Sequence, residues 1–202
     1  MAGAASGTAA RAALARSATV DDRGRSAGGD AAGSGTVPAE FPVTIDYGQL
    51  LVSNESKATL GLLWTDDHVA QGFAWSDGHV VFGVPDHDGD CLVRVEVAPS
   101  ARLDPAALWA VRVPFRVDEP LMVGALFLPR RVAVPVGGHA LTFQALPGTE
   151  DAAFELRLTF APLGPAPFSI LKRGEELTTD VVLRRDAVAA DPRPAAPPSQ
   201  VC

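Results

Sequence analysis

Between the apolar runs FAWS (73–76) and HVVF (79–82) the chain places a single Asp-Gly pair, Asp77-Gly78. A two-residue Asp-Gly loop between such runs favours a type I′ turn, because both central residues tolerate positive φ and the turn's twist matches that of the flanking strands. The register follows: Trp75 stands opposite Val80, and Phe73 opposite Phe82. Because side chains alternate along a strand, Phe73, Trp75, Val80, Phe82 and Val84 share one apolar face, while Ala74, Ser76, His79, Val81 and Gly83 share the other. The first face predicts core. Just upstream, Thr65 is placed to cap a short helical turn over Asp66–Gln71, with Asp66 and Asp67 favoured in its first turn by the helix dipole and Gly72 suited to ending it.

From Phe41 onward the alternation is of period two. FPVTIDYGQLLV puts Val43, Ile45 and Tyr47 on one face before Gly48 breaks the pattern; after the polar turn NESK comes GLLW at 61–64. CLVRVEV sets Val93, Val95 and Val97 inward, and WAVRVPFRV aligns Trp109, Val111, Val113, Phe115 and Val117, with Pro114 marking an edge or bulge. Further runs are LMVGALFL (121–128), RVAVPV (131–136), ALTFQAL (140–146) and FELRLTF (154–160); ILKRGEEL suggests a hairpin turn, and TTDVVL one more strand. Many short strands between Gly/Pro turns, with no long amphipathic helix, predict an all-β fold: a single antiparallel β-sandwich, jelly-roll-like or related, with one short helical turn and disordered tails.

Residues 1–38 are rich in Ala, Gly and Ser and almost free of large apolar side chains, so they cannot bury enough surface to offset their ordering entropy. Residues 184–202 are Pro/Ala-rich and read the same way, leaving 39–183 as the sandwich domain. No continuous apolar stretch marks a secretory signal or a membrane-spanning helix, so a cytoplasmic protein is expected. Cys91 and Cys202 form no metal or disulfide pattern, and Cys91 reads as small core. Residues 39–163 carry 16 acidic against 8 basic side chains, a net of −8, while both flanks are near neutral. An acidic surface repels nucleic acid and attracts basic partners, which disfavours direct DNA or RNA binding and admits a basic protein.

The four histidines, His68, His79, His87 and His139, stand singly at turn or loop-side positions without metal-ligand spacing, and are expected at the surface. PDHDGD at 85–90 resembles a calcium loop, but its glycine is at the wrong place and Val97 occupies the position of the bidentate glutamate, so an acidic turn is expected and no metal or cofactor. No nucleophile elbow or phosphate-cradling loop is present, so no catalytic residues are assigned. Trp64 and Trp109 leave open a ligand-binding sandwich module, for carbohydrate or a similar ligand, in which an indole would serve as a stacking platform.

The blocks TIDYGQL, WTDDHVAQGFAWSDGHVVF, VRVPFRV and VAVPVGGHALTFQAL, in that order over residues 43–146, resemble the competence protein J family, bacterial inhibitors of a DNA-entry nuclease. The resemblance places Asp46, Tyr47, Trp64, Asp66, Gly72, Phe73, Asp77 and Gly78 at family positions. It implies a small non-catalytic inhibitor or immunity-type protein that binds a nuclease or related toxin with a basic groove, in the cytoplasm or at the membrane periphery through that partner. The exposed acids expected to make the contact are Asp66, Asp67, Asp86, Asp88, Asp90, Asp118 and Glu119.

Overall fold

The computed structural model of the chain describes residues 39–45, 47–58, 61–85, 90–175 and 177–190. The N-terminal segment 1–38, Asp46, the turn residues 86–89 with Asp86, His87 and Asp88, and tail residues 191–202 lie outside the described residues.

In chain order the described strands are β1 (Ala39–Thr44), β2 (Gln49–Asn54), β3 (Phe73–Ser76), β4 (His79–Gly83), β5 (Asp90–Val97), β6 (Trp109–Val117), β7 (Leu121–Gly124), β8 (Arg130–Val132), β9 (Gly137–Pro147), β10 (Phe154–Pro162) and β11 (Ser169–Lys172). A short helix, α1 (Asp66–Gln71), precedes β3, and a single 3-10 turn at Glu55–Lys57 follows β2. The hairpin forms in the expected register, Phe73 opposite Phe82 and Trp75 opposite Val80. Gly78 needs to be glycine twice over: its φ is 68°, and a Cβ there would meet Asn54 Nδ2 at 2.2 Å.

The strands make two sheets, of order β1-β5-β10-β9-β6-β11 and β3-β4-β2-β7-β8. Every neighbouring pair is antiparallel except β5 with β10, which run parallel. That corrects the expectation of a wholly antiparallel arrangement; a half-buried strand shows the same alternation in either pairing, so the pattern carries no information about direction. The apolar faces of the two sheets share one core, in which Leu50, Val52, Phe73 and Phe82 of one sheet meet Val111, Phe143 and Leu158 of the other. Phe143 stacks on Phe82 at 4.6 Å between centroids and tilts against Trp109 at 4.8 Å, which ties the sheets together at their centre. Pro114 lies where β11 has ended, since β11 pairs only with Ala110, Val111 and Arg112; its carbonyl accepts the Trp75 indole N–H at 2.6 Å instead of a strand partner.

Several apolar runs are shorter as strands than their composition suggests. The run 121–128 turns away after Gly124, residues 130–132 alone of the next run pair, GLLW contributes one isolated bridge, and TTDVVL makes no strand. Tyr47 does not continue the face of Val43, because it has φ 58° and turns the chain from one sheet to the other.

The second face of the hairpin is buried as well. Leu51, Ala74 and Val81 pack with Leu62, under Trp64 and Ala187. The cover comes from residues 177–190, part of which composition assigns to the tail. Leu63 N–H donates to Val188 O at 2.9 Å and Ala190 N–H to Gly61 O at 2.7 Å. Buried Gln71 clamps this strap: its Nε2 amide donates to Phe73 O and Arg184 O, while Oε1 accepts the N–H groups of Leu183 and Arg184. Gln71→Leu leaves those strap groups without partners. We expect amide exchange at Leu183 and Arg184 to accelerate at least about tenfold and stability to fall by about 1–2 kcal/mol. Unchanged exchange at both amides would show that the strap holds without the clamp.

Candidate functional site

Among the described residues, the acids expected to meet a partner, Asp66, Asp67, Asp90, Asp118 and Glu119, fall toward the two ends of β4, roughly 13 Å apart at 3.3 Å per residue. At the first end the β3–β4 turn, the end of β2 and the β6–β7 connection converge. Asn54, buried there, donates through Nδ2 to Gly78 O (3.3 Å) and Arg116 O (3.0 Å) and accepts the Asp118 N–H at 3.1 Å. Arg116 pairs with Asp77 at 3.4 Å and Asp118 at 3.5 Å. The Glu119 carboxylate accepts the Ser56 hydroxyl at 2.5 Å and the Ser56 N–H at 2.9 Å, and those bonds hold it below the usual carboxylate range, the hydroxyl contributing most. Lys57 Nζ donates to Asp77 O. The acids of this end are therefore engaged by their own neighbours.

At the second end Val84 N–H donates to Gly48 O at 2.8 Å and Gly83 N–H to Gly72 O at 2.9 Å, and α1 lies alongside. Thr65 caps the helix, and Gly72, in the left-handed conformation, ends it. Asp66 and Asp67 stand exposed in the first turn with no ion pair among the described residues. Asp90, exposed at the start of β5, accepts the Thr44 hydroxyl at 2.5 Å. A cleft of about 250 Å³ opens here, lined in part by Tyr47, Trp64, Val69 and Trp109. Tyr47 meets Phe127 edge to face at 6.3 Å. Sequence reasoning missed Phe127 and Leu128; the available signal was the loss of alternation after Gly124.

The outer face of the six-stranded sheet carries acids too, but they are neutralised in place. Arg94 pairs with Glu40 (2.6 Å) and Glu155 (3.6 Å), and Arg157 with Glu155 (2.8 Å) and Asp104 (3.0 Å).

The expectation of surface histidines is corrected, since His68, His79 and His139 are all buried. His68 occupies the place of the glutamate in a capping box: Nδ1 accepts the Thr65 N–H at 3.1 Å, so the proton sits on Nε2, which donates to Asp186 O at 2.9 Å. His139 Nε2 donates to Pro135 O at 2.8 Å. His79 Nε2 has no hydrogen-bond partner among the described residues, and burial, with Lys57 adding to it, lowers the His79 pKa to about 4. The local sequence could not reveal the burial of His68, whose carbonyl partner Asp186 lies 118 residues further along the chain. Cys91 is core as expected, and burial pushes its thiol up to about 11. Trp109 is 1% exposed and packed on Phe143, so it offers no face to a sugar ring. Among the described residues no group of three or more His, Cys, Asp or Glu is placed to hold a metal ion, and no helix is long and apolar enough to cross a membrane.

The sequence model of the family described as competence protein J (ComJ) matches residues 42–161. A solved structure, ComJ from Bacillus subtilis, titled an inhibitor of the DNA degrading activity of NucA, is similar with a TM-score of 0.55 and 20% sequence identity, over 64% of this chain and 98% of that one. At that identity the likeness is one of fold. No curated protein matches the chain significantly.

Proposed function

We propose that this chain, which belongs to the competence protein J family, acts as a non-catalytic inhibitor that binds a nuclease, or a toxin related to one, through an acidic surface and blocks its substrate groove. The observation that carries the reading is the family match over residues 42–161, joined by a fold in common with a protein titled as an inhibitor of the DNA degrading activity of NucA. Duplex DNA carries one negative charge per roughly 1.7 Å of axis, so a groove built for it is basic and admits an acidic competitor. A net of −8 over residues 39–163 supports that competition, and Asp66 and Asp67 hold charge that no ion pair among the described residues consumes. The two sheets serve as a sandwich scaffold, and the protein works in the cytoplasm or at the membrane periphery through its partner.

In a DNA-cleavage assay with the nuclease encoded beside it, the full chain is expected to inhibit at low salt. Its Kd should weaken by at least about tenfold between 50 mM and 500 mM NaCl, because exposed charge pairs are screened over a Debye length that shrinks from roughly 14 Å to 4 Å. Absence of any complex with that nuclease at 50 mM NaCl overturns the reading.

A further inference from the structure

We propose that Tyr47, Phe127 and Leu128, together with the acids of the first turn of α1, Asp66 and Asp67, form the surface that grips the nuclease, and that the partner presents an apolar contact ringed by basic side chains. The inference rests on the nuclease-inhibitor reading above and names the surface that it leaves open.

Tyr47 is 78% exposed, Phe127 72% and Leu128 78%, and the two rings touch edge to face. Clustered large apolar side chains held in water mark interaction sites on a soluble domain, and aromatic anchors carry a large share of interface energy. The backbone of Tyr47 makes the stronger case. It is the one non-glycine position with positive φ among the described residues, at 58°, a conformation that its Cβ disfavours. Folding alone would favour glycine or asparagine there, since the exposed ring adds little to the core. A strained residue that presents an aromatic ring to solvent points to use at a partner.

The cleft behind Tyr47 is preformed. Its walls are Trp64 and Val69, and its floor is Gly72, Gly83 and Trp109, which the core and the hairpin hold in place. A rigid receptor loses little entropy when an anchor enters it. Asp66 precedes Val69 by three residues on α1 and so shares its helix face. Among the described residues Asp66 and Asp67 have no counter-ion of the kind that Asp77 and Asp118 find in Arg116, which leaves this end the better match for basic groups around an apolar contact.

The test measures binding of the full chain and its variants to the nuclease encoded beside it, by calorimetry, with Tm recorded for each. Tyr47→Gly is expected to weaken Kd at least about 30-fold while Tm stays level or rises, since glycine relieves the strained backbone. Phe127→Ser should weaken binding in the same direction, and Asp66→Asn with Asp67→Asn should flatten the salt dependence. Val136→Ser, at an equally exposed apolar residue of the opposite end, should leave Kd unchanged. If the unaltered chain binds and Tyr47→Gly and Phe127→Ser bind equally well, this surface is overturned while the nuclease reading stands. If those variants instead convert a dimer of the chain to monomer with no change in nuclease affinity, the patch seals a second copy and the proposal fails. No binding by the unaltered chain overturns the nuclease reading and this surface with it.

Discussion

Asn54→Ala should cost about 3 kcal/mol of stability. The side chain lost is buried and answers three backbone groups at once: the carbonyls of Gly78 and Arg116, and the N–H of Asp118. Gly78 belongs to the hairpin turn of one sheet, while Arg116 is the penultimate residue of β6 in the other, so this amide fastens the sheets together where no strand pairing does. A hydrogen bond is worth only about 1 kcal/mol net, but a buried group stripped of its partner costs about 1–3 kcal/mol; here the Arg116 carbonyl and the Asp118 N–H lose theirs, while Gly78 O keeps the Asn54 backbone N–H at 2.9 Å. Urea denaturation checks the size: the midpoint should fall with the m-value unchanged. Asn54→Asp separates hydrogen bonding from packing. It keeps the acceptor for Asp118 N–H but turns a carboxylate oxygen toward two carbonyls, so at pH 7 it should be at least as damaging as alanine and should recover as the carboxylate protonates. A loss below about 1 kcal/mol in both variants would mean that the sheets do not depend on this fastening.

Acidification should destabilise the protein through His79 before its carboxylates titrate. In the unfolded chain this histidine takes up a proton near the ordinary histidine value of 6.5; in the fold, burial and secondarily Lys57 delay uptake until about 4. Between those values the unfolded state binds more protons, so stability falls as pH falls through that window, by about 3 kcal/mol at its acid end. Glu119, whose pKa is lowered by the Ser56 hydroxyl, acts with the same sign at lower pH: its contribution is present above the ordinary carboxylate value and is lost below it. His79→Leu removes the ring that must stay neutral along with its unpartnered nitrogen. The variant's stability measured by denaturation at pH 7, 6, 5 and 4.5 should therefore decline much less than that of the unaltered chain. Parallel curves for the two would assign the pH dependence elsewhere.

The inward face of the fold was legible in the chain. Period-two alternation selects Val93 and Val95, Val111 to Val117 and Leu156 to Phe160, and each of those inward positions is buried in the common core. Asp77-Gly78 set a hairpin register that holds pair for pair, but not through the expected type I′ turn: Gly78 has φ 68° while Asp77 keeps an ordinary negative φ, so the two-residue length of the loop fixed the pairing. Thr65 and Gly72 marked both ends of α1, because capping is a local requirement of the helix's own unpaired groups. The site was less legible. Asp66, Asp67, Asp118 and Glu119 look alike as exposed acids in sequence, yet Arg116 and Ser56 engage the latter pair while the former have no ion pair among the described residues.

What the sequence determined by itself, then, is everything decided within a few residues: strand, turn, cap and the side of each strand that is apolar. The tertiary structure decided what lies on the other side. The strap at 177–190 packs over Val81 and Ala74, Gln71 becomes a clamp in place of a surface amide, and Tyr47 leaves the apolar face for an exposed turn. Each of these depends on a partner far along the chain, and alternation along one strand records only that a face is apolar, never which distant segment will cover a face that is not.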